Sequence, residues 1–399
     1  MTKPAFFLIA CTAAVWTVIL QFQLSKLVSS APAVQLVPDP PSIRQTSATQ
    51  PAPPIDGPQK EERCAINLFG LPRAFDSLVL PSLVQNVIKI NARYNCDYFV
   101  HYYNLTEEQA GRSGKGGVLN PSEILSLTGE VHRYAPQHAD RRPRVVFQVD
   151  QEAAFWNNYN DLIHRTRTAT DSLGRLLFYP WRLSTYTYPT TVDNILKQWH
   201  SIHAVFDVMD GDAVANNVNY TRVAMLRSDV VYVTPIDIYR LDERPGDLSY
   251  DYGNRHAVVA AFGRHPVSDR IIYGPYRAVE MWATQRFSRL EAHAQKILRT
   301  DPGYGIHPER FMNITMFPAI REAGIPIHEH AQMCFLRARA DESIWVSDCD
   351  GELPITVPTI PERVGNDTKG LVEALIGRQC GMITYIRSNV RSLDCKSKQ

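Results

Sequence analysis

The chain has almost no net charge, with 42 Lys and Arg against 41 Asp and Glu. Nothing in that balance points to a nucleic-acid or acidic-membrane partner. It also lacks zinc-ligand spacing among its seven cysteines. Clustered carboxylates and His-rich metal spacing are missing too, which disfavours a nuclease or a phosphatase. The Gly-rich stretch Gly111-Arg112-Ser113-Gly114-Lys115-Gly116-Gly117 lacks the spacing of a phosphate-binding loop and reads as a solvated loop.

What is present begins with an uncharged run from Pro4 to Leu20, preceded by Lys3 and extended by Gln21 to Leu24. It reaches about 20 residues, enough to span a bilayer. A cleaved signal peptide with Ser29-Ser30-Ala31 as its small-residue site is the competing reading. Bulky Trp16, Ile19 and Leu20 favour an uncleaved anchor at 5–24, with a cytoplasmic tail at 1–4. Residues 25–62 are rich in Pro, Ser, Thr, Gln and Ala and read as an extended stem. Four sequons, at Asn104, Asn219, Asn313 and Asn366, and six cysteines beyond Cys11 fit an oxidising lumen.

The globular part is expected over 63–350, with a C-terminal extension over 351–399. Ala65 to Gly70 reads as a buried strand, and a helix is expected from Pro81 with Leu83, Val84, Val87 and Ile88 on its apolar face. Asp97 to Tyr103 reads as a second strand. Such a unit crosses over right-handed into parallel strands, which brings Cys64 and Cys96 near each other and predicts a disulfide between them. Arg144 to Val149 is a further strand, and Asp193 to Met209 an amphipathic helix. Strands are expected at 223–232, 256–262 and 325–327, and helices at 277–298 and 308–323. This alternation predicts an α/β domain on a mostly parallel sheet.

Within the segment Val223 to Tyr232, Arg227 and Asp229 sit two apart in an otherwise buried strand. Buried charges need partners: each other, a metal or a charged ligand. Ligands of open α/β sheets bind at the carboxyl ends of strands. Arg73 follows the first strand; Asp269 and Arg270 follow the strand at 256–262; Glu309 opens a helix; His328 and His330 follow the last strand. Singly, each has an ordinary structural explanation, such as a turn, a first-turn helix acid or a surface residue. Their joint placement is what points to a site.

The run Leu226-Arg227-Ser228-Asp229-Val230-Val231-Tyr232 with Pro235-Ile236, the segment Ser268-Asp269-Arg270 with Tyr273-Gly274, and Pro308-Glu309-Arg310-Phe311 together resemble a family. It is the type II Golgi glycosyltransferases of GT-A type, specifically those with Arg-x-Asp in place of Asp-x-Asp. The resemblance covers about Cys64 to Arg337. It implies a GT-A-like (Rossmann-like), mostly parallel central sheet flanked by helices, after an N-terminal anchor and stem. It further implies a nucleotide-sugar donor, a glycan or glycoprotein acceptor, and a lumenal domain on the Golgi membrane, or secretion after signal cleavage. Arg73, Arg227, Asp229 and Arg270 would bind the donor diphosphate. Asp229 with His328 or His330 would hold Mn²⁺ or Mg²⁺. Arg227 in place of the first Asp leaves a metal-free alternative open, in which arginine neutralises the diphosphate. Glu309 or Asp269 would be the base if the anomeric centre inverts; a retaining reaction needs none.

A Golgi sulfotransferase shares the anchor, stem and α/β domain, but its donor would meet Asp76 in the loop after the first strand. A catalytically silent GT-A-like binding protein is the other rival.

Overall fold

The computed structural model describes residues 61–110, 116–137, 139, 141–180, 187–240, 255–261, 266–330, 333–342, 344–345, 378–380 and 395–397. The chain divides after Pro58, and everything described belongs to the unit from Gln59 onward. The anchor and most of the stem, Asn366 and most of the C-terminal extension fall outside the described residues. Among those described, no helix is long and apolar enough to cross a membrane.

β1 (Glu61–Phe69) is followed by a helical run over 75–94 and by β2 (Asp97–Tyr103). A small hairpin, β3 (Glu107–Glu108) and β4 (Gly117–Val118), precedes α1 (Leu127–Tyr134) and β5 (Val145–Asp150). Two short helices, α2 (Glu152–Asn158) and α3 (Asn160–Thr168), then lead to the long α4 (Thr190–Ala215). β6 (Val218–Arg227), β7 (Val230–Tyr232), β8 (Ala257–Ala260) and β9 (Ile272–Pro275) follow. Next come α5 (Tyr276–Thr284), α6 (Arg286–Thr300) and a helical run over 308–322. β10 (Ile327–His330), β11 (Phe335–Ala338) and β12 (Ile344–Trp345) complete this part, with a separate pair of short strands at Arg378–Cys380 and Cys395–Ser397.

Seven strands form the central sheet in the order β10-β8-β9-β6-β1-β2-β5. Every neighbouring pair is parallel except those made by β9, which runs against both β6 and β8. The expected α/β class with a mostly parallel sheet is therefore present. β1 shows why its strand reads as a continuous apolar run. Its alternate residues serve two cores: Cys64, Ile66 and Leu68 face one, and Ala65 and Phe69 the other. The run over 75–94 and α1 cover the first face. α4 covers the second with Ile195, Trp199, Ile202, Phe206 and Met209, all buried as the periodicity predicts.

Several boundaries differ from the sequence reading. The first helical run starts at Phe75 rather than at Pro81, because Phe75, Leu78 and Val79 extend the buried face. The helix expected over 277–298 is two, α5 and α6, meeting at Gln285. Cys64 and Cys96 are joined, with Cα atoms 4.6 Å apart. Parallel pairing of β1 and β2 places Ala65 beside Asp97 and so brings their preceding cysteines together. Cys334 is also disulfide-bonded. Gly274 sits where a Cβ would lie 2.9 Å from the Ala257 Cα, so the Tyr273-Gly274 pair serves the close approach of β9 to β8.

Candidate functional site

β2 and β5 lie on one side of β1, and the chain then crosses back to place β6 on the other. The carboxyl ends of β1 and β6 therefore flank a topological switch point, where open α/β sheets bind ligands. Phe69 and Arg227 are register partners and the last residues of these strands. Ser228 ties the ends together, donating from both its N–H and its hydroxyl to the Phe69 carbonyl at 3.0 Å. Gly70, at φ 106°, turns the chain away here, and its N–H donates to Ser201 Oγ on α4 at 3.0 Å.

The segment 223–232 is not one strand. β6 ends at Arg227, Ser228 and Asp229 form a turn, and β7 leaves the central sheet to pair antiparallel with β11. Asp229 is thus at the crevice and yet buried, with 1 % of its surface exposed. Arg227 donates to it twice, Nε to Oδ1 at 2.7 Å and Nη2 to Oδ2 at 2.8 Å. Arg73 Nη1 donates to the same Oδ2. Arg73 also forks onto Glu108 of β3, at 2.7 and 2.5 Å. Burial alone would raise the Asp229 pKa, but the charges of Arg227, Arg73 and Arg339 overcome it and hold the carboxyl well below its usual range.

A second cluster gathers Glu309, Asp269 and Arg270. Burial first, then the Asp269 charge, pushes the Glu309 carboxyl up to about 8, against the opposing pull of Arg270 and Arg337. His307 Nδ1 lies 3.3 Å from Glu309 Oε2. Arg337 connects the two clusters. It pairs with Val230 across β11 and β7, next to the Ala338 N–H that donates to the Asp229 carbonyl, while its charge acts on Glu309.

Of the residues singled out in the sequence, Arg73, Arg227 and Asp229 meet, and the charges of Asp269 and Arg270 act on Glu309. His328 and His330 belong to β10 itself rather than following it, in register with Val258 and Ala260 of β8, at the edge of the sheet. Both oxygens of Asp229 accept from guanidinium groups and a third arginine adds positive charge, a setting that disfavours a divalent cation. The metal-sized group that does occur among the described residues is His101, Asp150 and His200. Sequence reasoning missed it, along with Glu108, Arg337 and Arg339.

No family model and no curated protein sequence matches the chain. Among solved structures it is similar to the apo form of mouse xyloside xylosyltransferase 1, at 12% identity over 67% of this chain and 84% of that one, with a TM-score of 0.33. Likeness at that level says nothing of what the present chain binds.

Proposed function

We propose that the chain is a nucleotide-sugar-dependent glycosyltransferase of GT-A-like type that works without a cation at Asp229. The observation that carries this reading is the convergence of Arg73, Arg227 and Arg339 on one buried carboxylate at the switch point between β1 and β6. A nucleoside diphosphate gains negative charge as its bond to the anomeric carbon breaks, and fixed guanidinium groups stabilise that charge without reorganising. Asp229 is a positioning residue: its two hydrogen bonds from Arg227 hold that fork at the strand end.

The acceptor oxygen bonds the anomeric carbon as the diphosphate oxygen leaves, and the hydroxyl proton must go to a base. Glu309, with its carboxyl raised to about 8, suits that role in an inverting reaction and is most active as a base above that pH. Burial is the larger cause of that value, and the Asp269 charge adds to it. The acceptor would be a glycan or glycoprotein hydroxyl. We place the domain in the Golgi lumen behind a single anchor at 5–24. The Cys64–Cys96 disulfide and the exposed sequon residues Asn104 and Asn219 support an oxidising, glycosylating compartment.

The test is release of UDP or GDP from a panel of nucleotide sugars, with Mn²⁺ and with EDTA, beside phosphoadenosine phosphosulfate as the sulfotransferase donor. Donor-dependent release that persists in EDTA and falls in Arg227→Ala and Arg73→Ala supports the reading. Turnover of phosphoadenosine phosphosulfate alone supports the sulfotransferase. Inertness of wild type across every donor leaves the silent binding protein.

A further inference from the structure

Beneath the crevice, on the α4 side of the sheet, three side chains from three elements converge: His101 of β2, Asp150 of β5 and His200 of α4. We propose that they form a binding site for a divalent ion of the zinc class, separate from the arginines at Asp229 and independent of the transferase reading. Their ligand atoms all lie within 4.8 Å of one another. His101 Nε2 is 3.2 Å from Asp150 Oδ2, and His200 Nε2 is 2.7 Å from the same oxygen. Tetrahedral zinc with ligand bonds of about 2.0–2.1 Å sets its donors roughly 3.3 Å apart, within reach of small side-chain shifts.

The hydrogen bonds around the group orient its rings and its carboxylate. Ser201 Oγ lies 2.8 Å from His101 Nδ1, accepts from the Gly70 N–H, and donates its own proton to the His101 carbonyl at 3.4 Å. Nδ1 of His101 thus has a fixed outer partner, and Nε2 is left turned toward the group. That nitrogen is fully buried and faces a carboxylate oxygen. A bound cation would take the place of the proton these two atoms share. His200 is built alike: its Nδ1 meets the Tyr159 hydroxyl at 3.0 Å, leaving Nε2 for the site. Gln148 Nε2 donates to Asp150 Oδ1 at 3.3 Å, so the other carboxylate oxygen, Oδ2, faces the histidines. Ring nitrogens held by an outer partner are the usual setting of metal-bound histidine. Two imidazoles and a carboxylate suit Zn²⁺ and leave a fourth position for water.

The test uses the full chain, stripped with chelator and titrated with Zn²⁺, with Co²⁺ as a visible-absorption probe. The expected result is one Zn²⁺ per chain, a rise in melting temperature with Zn²⁺, and Co²⁺ bands typical of a tetrahedral site. His200→Ala and Asp150→Asn should weaken Zn²⁺ binding by ~100-fold or more, and Tyr159→Phe by ~10-fold. Tyr159→Phe removes one hydroxyl and keeps the packing, so it separates loss of the site from loss of the fold. The proposal is overturned if stripped wild type takes up no Zn²⁺, or if His200→Gln and Tyr159→Phe both titrate like wild type.

Discussion

The Arg227 guanidinium holds the Asp229 carboxylate by two hydrogen bonds, at 2.7 and 2.8 Å, across the turn that ends β6. This pair occupies the place where a cation-binding carboxylate would otherwise be open. Arg73 closes on the same group from the end of β1, so one carboxylate joins two strand ends.

Removing that carboxylate strands the arginines. Asp229→Ala should destabilise the domain by about 3–5 kcal/mol, the cost of breaking a buried pair from one side. Urea unfolding measures this directly. An unchanged midpoint would show that the pair is not a structural link.

The Asp229 carboxyl is held below its unfolded value of about 3.9. A depressed acid contributes stability that is complete above that unfolded value and is lost as pH falls through the folded one. Asp229→Asn should therefore flatten the acid limb of the stability curve while lowering its plateau. Equal acid limbs in variant and wild type would contradict the linkage.

Glu309 has the opposite sign. Its folded carboxyl, raised to about 8, keeps a proton that the unfolded chain releases near pH 4.3. Stability should fall as pH rises from about 4.3 to 8, and Glu309→Gln should remove that fall. If Glu309 is the base, the same substitution abolishes the rise of activity toward pH 8 in wild type. Unfolding midpoints at pH 5, 6.5 and 8 check the first claim, and a pH–rate profile the second.

The Cys64–Cys96 bond closes a sequence separation of 32 residues, so loop entropy gives it about 3–4 kcal/mol. Cys64→Ala with Cys96→Ala should lower stability by that amount. A double variant as stable as wild type would mean the unfolded state is not what the bond constrains.

Much of this was legible in the sequence where a local signal existed. The apolar run Ala65 to Phe69 and the 3.6-residue period of Ile195, Trp199 and Ile202 marked β1 and α4, and β-α-β order brought Cys64 to Cys96. The break after Arg227 was hidden because Val230 to Tyr232 is as apolar as the strand before it, although it pairs with β11 instead. His328 and His330 read as exposed ends because only three apolar-rich residues precede them, yet backbone pairing to β8 carries the strand through both. His101, Asp150 and His200 left no trace, since their proximity comes from β2–β5 register and from α4 crossing the sheet. Spacing along one element cannot report such a group.

The most direct measurement is binding of UDP and GDP in EDTA, by calorimetry or thermal shift, to wild type, Arg227→Lys and Arg73→Lys. The lysines keep the charge and lose the forks that fix Arg227 on Asp229 and Arg73 on Glu108. The account predicts metal-free binding by wild type, weakened ~10-fold or more in each variant. Binding that appears only with Mn²⁺, or that is equal in all three proteins, would contradict it.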